Sequence, residues 1–427
     1  MESRVNSRLF SSGQALLRRV LAELERVTGT PPGITRVAYG SGEQFAHDLV
    51  RDEAAAMGAR IRVDAAGNLY MSLDGLDPQL PQIVIGSHLD TVPHGGNYDG
   101  AAGVVAGLAV MADLVEDGIR LPRTLTVMVT RAEEAAWFPL SYPGSQAALG
   151  LMMPDELQAR RSDTGDTLHE HMARAGFDPA AILRRKAQIS PGEIEAFLEV
   201  HIEQGPRLVA AGRPVGIVTG IAGGFRYVDA RCIGRYAHSG AEPRFSRRDS
   251  VLGVSDLVQG LEAAWDQLER EGKEATITVG RIESDALQHG SSRVLGELSF
   301  TLDVRSSDHA TLKRIEAQIA LLQAEIGSRR GVEFRFGPAF TWAPATMDAG
   351  LISKLSMSAE NLGMAVPRLA SGAGHDAAAF SQAGIASAML FVRNENGSHN
   401  PDESMDVEDL DEAVRLLGTF VRNYDND

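Results

Sequence analysis

Cysteine is almost missing from this 427-residue chain, where Cys232 stands alone. A single thiol forms no intrachain disulfide and no thiolate-rich zinc cluster, and nothing points to an oxidising compartment. Basic residues are also in deficit. Lys and Arg number 41 against 57 Asp and Glu, a formal net charge of −16. Such a surface repels phosphate backbones at long range, so nucleic acid is not an expected partner. Long apolar runs are lacking as well. The most apolar stretch, Gly103 to Val115, is interrupted by Asp113 and falls short of the ~20 residues a spanning helix needs. The opening MESRVNSRLFSSGQ has no apolar core behind a basic start and is not read as a secretory signal. The expected protein is therefore soluble and cytoplasmic, with no membrane partner. No internal repeat, low-complexity tract or long Pro/Gly/Ser linker is evident.

At roughly 100–200 residues per domain, the length implies two or three domains with ample core. Leu16, Leu17, Val20, Leu21, Leu24 and Val27 recur at helical spacing, with Arg18, Arg19, Glu23 and Glu25 opposite, which predicts an amphipathic surface helix. QIVIGSH (82–88) and LTVMVT (125–130) flank a helical pattern from Gly103 to Leu114, the form of strand, helix, strand. A polar helical region around 152–186 and a buried strand at 194–202 follow. Beyond Arg213 the pattern becomes strand 225–234, helix 250–270, strands 275–282 and 296–305, helix 308–328 and strand 332–336. That β-α-β-β-α-β order is the split βαβ, ferredoxin-like signature. A helix at 349–362, a strand at 387–392 and a helix at 407–421 close the chain. The predicted fold class is α/β. A discontinuous domain (1–213 and 338–427) carries a mixed sheet covered by helices, and an α+β domain (214–337) is inserted into it.

His88, His201 and His399 each end or follow an apolar strand, where open α/β sheets place ligand sites. His88 and Asp90 have period-2 spacing, so both face one side of an extended segment and the carboxylate can orient the imidazole. Asp99 sits in GGNYDG, whose glycines permit an irregular backbone. Glu133 and Glu134 directly follow strand 125–130. Each feature alone fits an ordinary loop. Together His88, Asp99, Glu134, His201 and His399 form a plausible set for two divalent cations sharing a carboxylate, and Glu133 is left over as a general base.

The segments GSHLDTVPHGGNYDGAAGVVAG, TRAEEAAWF, LEVHIEQGPRL, GIVTGIAGG, AHSGAEPRFSRRDS, SGAGHDAAAF and NGSHNPDESM, in this order, resemble the hydantoinase/carbamoylase-type amidases. That family includes N-carbamoyl-L-amino acid hydrolases, β-ureidopropionase and allantoate amidohydrolase, within the dinuclear aminoacylase/metallopeptidase superfamily. The resemblance implies that His88, Asp99 and His201 hold one metal and Asp99, Glu134 and His399 the other, with Asp90 orienting His88 and Glu133 as base. Zn or Mn would be the usual ions, with Co or Ni also accommodated. It further implies His238 as oxyanion stabiliser, Gln204, Ser292, Arg305, Gly372 and Ala373 as substrate contacts, and a homodimer formed through the inserted domain, which also acts as a lid. The implied reaction is hydrolysis of a linear C–N bond in a small ureido substrate, one that carries a carboxylate, with release of CO2 and ammonia. An aminoacylase or peptidase-like hydrolase sharing the metals is the alternative, and a non-catalytic metal binder the remote one.

Several positions depart from the family pattern. Ser292 replaces the usual asparagine thirteen residues before the arginine, and a hydroxyl donates only one hydrogen bond. HSGAEPR places Glu242 and Arg244 at the pocket rim, and Trp137 replaces a smaller or basic residue. These changes predict a substrate with an aromatic or bulky part. Met152, Met153, Phe334 and Phe336 are read as packing, His169 and His171 as surface residues, and His94 as a turn residue or one facing the pocket.

Overall fold

The computed structural model describes residues 11–425. Most of the opening segment inspected for a secretory signal lies outside the described residues. Two compact units form. The first comprises the chain through Thr219, Met347–Leu369 and the chain from His375 onward; the second comprises Gly220–Thr346 and Ala370–Gly374.

The first segment holds α1 (Ser12–Thr28), α2 (Ser41–Ala56), β1 (Arg60–Val63), β2 (Leu69–Leu73), β3 (Gln82–His88), α3 (Ala101–Glu116) and β4 (Leu125–Thr130). Three short helices, α4 (Pro143–Ala148), α5 (Leu168–Arg174) and α6 (Pro179–Ile182), precede β5 (Ile194–Ile202), α7 (Arg207–Ala211) and β6 (Val215–Ile221). Next come β7 (Gly223–Ile233), β8 (Ala237–His238), α8 (Ser250–Arg270), β9 (Thr276–Thr278), β10 (Ile282–Glu283), β11 (Arg293–Val294) and β12 (Glu297–Ser306). After α9 (His309–Arg330) follow β13 (Glu333–Arg335), β14 (Phe340–Trp342) and β15 (Ala345–Thr346). The chain closes with α10 (Ala349–Asn361), β16 (Arg368–Ser371), α11 (Asp376–Gln382), β17 (Ser387–Val392) and α12 (Val407–Asn423).

The main sheet runs β1-β2-β4-β3-β5-β17-β6. β3 is parallel to β4 and β5, and β5 to β17, while β1, β2 and β6 join antiparallel. It is the mixed sheet the sequence predicts. β4 and β17 are buried along their whole length, which is why they read as apolar-rich runs without alternating charged residues. α3 is buried on nearly every side, lying on β3, β4 and β5 and beneath α1 and α12. A capping box at Ser11 and Gln14 opens α1, satisfying two backbone N–H groups that the first turn leaves free. Its apolar face is buried except Val27, which the pattern placed on that face but which is exposed in the last turn.

In the second unit β7, α8, β9, β12, α9 and β13 trace the β-α-β-β-α-β order, with β12 beside β7, β9 on β12 and β13 on β7, all antiparallel. Its core includes Cys232, Leu257, Phe300, Leu302, Ile315 and Phe334. The expected strand 275–282 is split into β9 and β10. Gly280 lies between them, where the chain advances from Thr278, opposite Asp303, to Ile282, opposite Phe300, four residues against three on β12, the usual signature of a bulge.

The expected helical region at 152–186 is corrected to short turns and the brief α5 and α6. Pro154, Gly165, Gly176 and Pro179 interrupt it. His171 is likewise buried rather than on the surface, its ring nitrogen 3.0 Å from Thr164 Oγ1. Among the described residues no helix is long and apolar enough to cross a membrane.

Candidate metal centre

The carboxyl ends of β3, β4, β5 and β17 deliver the chemistry to one edge of the first unit's sheet. His88 is the last residue of β3 and is buried. Its Nδ1 lies 3.2 Å from the Asp90 carbonyl and 3.4 Å from Asp90 Oδ1, so Nδ1 donates and the Nε2 lone pair faces inward. The same Asp90 carboxylate accepts the backbone N–H groups of Glu133 (3.1 Å) and Glu134 (3.2 Å). One buried side chain thus ties the β3 loop to the acidic pair after β4. Ala132, just before the pair, has φ of +56°, a strained conformation for a residue with a side chain.

Asp99 sits at the centre. Its Oδ1 is 3.4 Å from His88 Nε2 and 3.1 Å from His201 Nε2, and its Oδ2 is 3.4 Å from His399 Nε2. His399 Nε2 is also 3.5 Å from Glu134 Oε1. His201 Nδ1 donates to the Ile202 carbonyl at 2.9 Å, which again points the Nε2 lone pair inward. Gly100, at φ +66°, is required here, because a Cβ would come within 2.5 Å of the His88 ring. The donor atoms of His88, Asp99 and His201, and those of Asp99, Glu134 and His399, each lie within 4.8 Å of one another.

These residues fit a pair of divalent cations. Glu134 Oε1 is buried without a hydrogen-bond partner, a costly state for a carboxylate that a cation relieves. Burial, with Glu134, Asp376 and Asp90 prevailing over the opposing His88, holds the Glu133 carboxyl well above its usual range. Burial and Asp99 push Glu134 up to about 8. A hydrogen bond to Asp99, helped by Glu134, raises His399 to about 9. Burial alone would lower His88, yet Glu133, Asp90 and Asp99 lift it well above the imidazole range. The cluster is a buried concentration of negative charge seeking positive charge.

Sequence reasoning missed the supports. Arg36 is fully buried, donates from Nε to the Leu89 carbonyl (2.6 Å) and from Nη1 to Asn97 Oδ1 (3.0 Å), and so pins the two loops carrying His88 and Asp99. Glu403 accepts the N–H groups of Tyr98 and Asp99, and Ser398 Oγ lies 2.6 Å from both Asp99 Oδ2 and Glu403 Oε2. Asp376 accepts from Thr130 and Ser145, 2.5 Å each. Glu199, His201 and His375 form a further close grouping, but both Glu199 oxygens already accept, from Ser87 Oγ and the Ala377 N–H. Glu403, His375 and Asp376 stand inside the quoted segments NGSHNPDESM and SGAGHDAAAF, a signal that was available.

Gln204, at φ +61°, donates to Asp99 Oδ2 at 2.8 Å, and its Oε1 is buried without a partner. The remaining substrate candidates lie in the second unit. His238 in β8 pairs with Arg293 of β11, and the Ser292 carbonyl accepts the Ser239 N–H. Arg305 donates to Asp303 (2.8 Å) and to the Gly372 carbonyl (3.2 Å), with its guanidinium 5.6 Å from the Trp342 ring centre. The Ala373 N–H donates to Ser371 Oγ. Glu242 pairs with Arg235 at 2.6 Å, and Arg244 is exposed. Trp137 requires correction. It is buried in one hydrophobic cluster with Tyr39, Phe138 and Met152, its indole N–H donated to the Thr91 carbonyl, so it supports the loop and gives no reason to expect an aromatic substrate. Met153, read as packing, is exposed.

The model of peptidase family M20/M25/M40 matches residues 84–423. An N-carbamoyl-L-amino acid amidohydrolase of Geobacillus stearothermophilus is 33% identical over 95% of this chain and 97% of its own. An allantoate amidohydrolase of Escherichia coli is 32% identical over 91% and 92%. The crystal structure of a hydantoinase/carbamoylase family amidase from Burkholderia ambifaria superposes with a TM-score of 0.84 at 30% identity, covering 96% and 95% of the two chains. With matches of this extent, the chain belongs to peptidase family M20/M25/M40, among its hydantoinase/carbamoylase amidases.

Proposed function

We propose that this chain is a dinuclear metal-dependent amidohydrolase that cleaves a linear C–N bond of an N-carbamoyl amino acid or related ureido compound, releasing ammonia and CO2. The observation that carries this reading is Asp99, whose two oxygens face two separate donor groups while the Glu133 carboxyl stands beside them, its Oε2 3.8 Å from His88 Nε2. The names of the relatives, one acting on N-carbamoyl-L-amino acids and one on allantoate, support the substrate class.

His88, Asp99 and His201 would hold one cation and Asp99, Glu134 and His399 the other, Zn or Mn first among the candidates. Bound there, the cations supply charge that polarises a ureido carbonyl, a poor electrophile, and acidify water near neutral pH. Glu133 takes a proton from the attacking water on its carboxylate oxygen and returns it to the leaving nitrogen. Asp90 holds both His88 and the Glu133 backbone in place. We assign Gln204 to the polar head of the substrate, Arg305 to its carboxylate through a two-pronged hydrogen bond, Ser292, Gly372 and Ala373 to its remaining polar atoms, and His238 to the developing oxyanion. The inserted unit is assigned the lid and homodimer contacts.

The test is ammonia release by Mn- or Zn-reconstituted protein over N-carbamoyl α- and β-amino acids, allantoate and N-acyl amino acids. Release is expected from at least one ureido substrate. Glu133→Gln should retain both metals by elemental analysis and lose roughly 10²–10⁴-fold in kcat. Arg305→Ala should raise KM most for carboxylate-bearing substrates. Consumption of N-acyl substrates alone would overturn the ureido assignment.

A further inference from the structure

The second unit contains a concentration of positive charge at odds with a chain of net charge −16. A cavity of about 840 Å³ is lined by Arg235, Arg244, Arg247, Arg248, Arg329 and Arg330 together with Phe245. Arg235 comes from the connection between β7 and β8, Arg244, Arg247 and Arg248 from the loop between β8 and α8, and Arg329 and Arg330 from the last turn of α9. Carboxylates offset only some of them. Glu242 pairs with Arg235, and the single carboxylate of Asp256 serves both Arg329 and Arg330. Arg247 is held by the carbonyl oxygens of Glu242 and Ser239, which carry no net charge. Asp249 also lines the cavity, where its carboxylate caps α8 through the N–H groups of Val251 and Leu252 and attracts Arg330, so the six guanidinium groups are met by three carboxylates, those of Glu242, Asp249 and Asp256. Among the described residues, no carboxylate lies within ion-pair distance of Arg244 or Arg248.

Gathering guanidinium groups in one concavity is unfavourable unless an anion occupies it. Guanidinium forks match phosphate oxygens with two parallel hydrogen bonds each, and several forks suit an oligophosphate better than a lone carboxylate. The cavity is within the roughly 300–1,000 Å³ usual for small-molecule sites, larger than a single phosphate requires. Phe245 decides the rest of the ligand. It is 92% exposed, the most exposed of the large hydrophobic side chains among the described residues. Beside a cationic cavity it offers a stacking face for a planar heterocycle.

We propose that this cavity is a binding site for a nucleoside polyphosphate, with the phosphates on Arg244, Arg248 and their neighbours and the base against Phe245. The residues lining it all belong to the second unit, whereas the candidate metal ligands all belong to the first.

Isothermal titration of the full-length protein with ATP, with inorganic tripolyphosphate and with adenosine tests this, using about 0.15 M salt and excess Mg²⁺ so that the nucleotide does not strip other cations. ATP should saturate one site per chain and bind more tightly than tripolyphosphate, with adenosine weaker than both. The double variant Arg244→Gln/Arg248→Gln should weaken ATP at least tenfold. These side chains hold no ion pair, so its circular dichroism and melting curve should match the parent's. Phe245→Ala should reduce ATP to the affinity of tripolyphosphate. The proposal fails if ATP does not saturate, if the double variant binds within twofold of the parent, or if tripolyphosphate equals ATP. Loss of a dimer in the double variant, with no nucleotide bound by the parent, would assign the arginines to a subunit contact and overturn it as well.

Discussion

Protons and cations compete for the same lone pairs around Asp99. His399 is raised to about 9 by its hydrogen bond to Asp99, and Glu134 to about 8 by burial and Asp99. Both groups therefore hold protons at pH 7, and a divalent ion must displace them. The sign follows: metal affinity rises from pH 7 through pH 8, as the protons to be expelled become fewer, and levels off above about 9. Titration of Mn²⁺ into chelator-treated protein in two buffers of different ionisation enthalpy should register protons released on binding at pH 7, and fewer at pH 8.5. A pH-independent affinity would refute the pairing of His399 and Glu134 on one ion. The ligands themselves were legible in the sequence because each stands at or just beyond the end of an apolar strand. Arg36 was not, since it acts on Leu89, more than fifty positions away, and outside any motif its worth is set by three-dimensional contact; Glu403 stood inside NGSHNPDESM, but its hold on Asp99 is likewise seen only in the fold. Trp137 misled for the converse reason: a large residue in a motif draws attention to the substrate, whereas its ring is absorbed by the packing of the loop.

Whole elements place these residues by close contact, and α3 shows how close. A Cβ at Gly103 would lie 2.0 Å from the Val200 carbonyl oxygen and 2.9 Å from Ser87 Cβ. Those two residues immediately precede His201 and His88, so the helix presses on the sheet one residue short of two ligands. Gly103→Ala gains about 1 kcal/mol of helix propensity but forces the helix off backbone that cannot yield, and overpacking of this kind costs roughly 1–3 kcal/mol. Gly418 in α12 is the counter-example, because a Cβ there meets nothing within 4 Å. Gly418→Ala should stabilise by about 0.5–1 kcal/mol. Urea unfolding of the two variants should give opposite signs, and Gly103→Ala should also bind Mn²⁺ more weakly. Element boundaries were most legible where the strand is buried on both faces, as for 82–88, 125–130, 194–202 and 387–392. They were least legible where glycine or proline breaks a pattern, as at Gly280 and throughout 152–186.

For the whole molecule, the separation into two units each with its own core sets how stability responds to metal. Every candidate ligand lies in the first unit, whereas Cys232 lies in the core of the second. A ligand that binds only the folded state stabilises by about 4 kcal/mol at a thousandfold excess over its Kd. At about 2–4 °C per kcal/mol for domains of this size, chelation should lower one calorimetric transition by on the order of 10 °C. The second unit should not follow. Burial pushes the Cys232 thiol up to about 12, so its thiolate is scarce and screened while that core is folded. The rate of thiol labelling during heating therefore reports the second unit alone. Chelation should shift the lower calorimetric transition and leave the temperature at which Cys232 becomes reactive unchanged. If that temperature falls together with the transition, the two cores unfold as one cooperative body, and the metal stabilises the whole chain rather than the unit that holds its ligands.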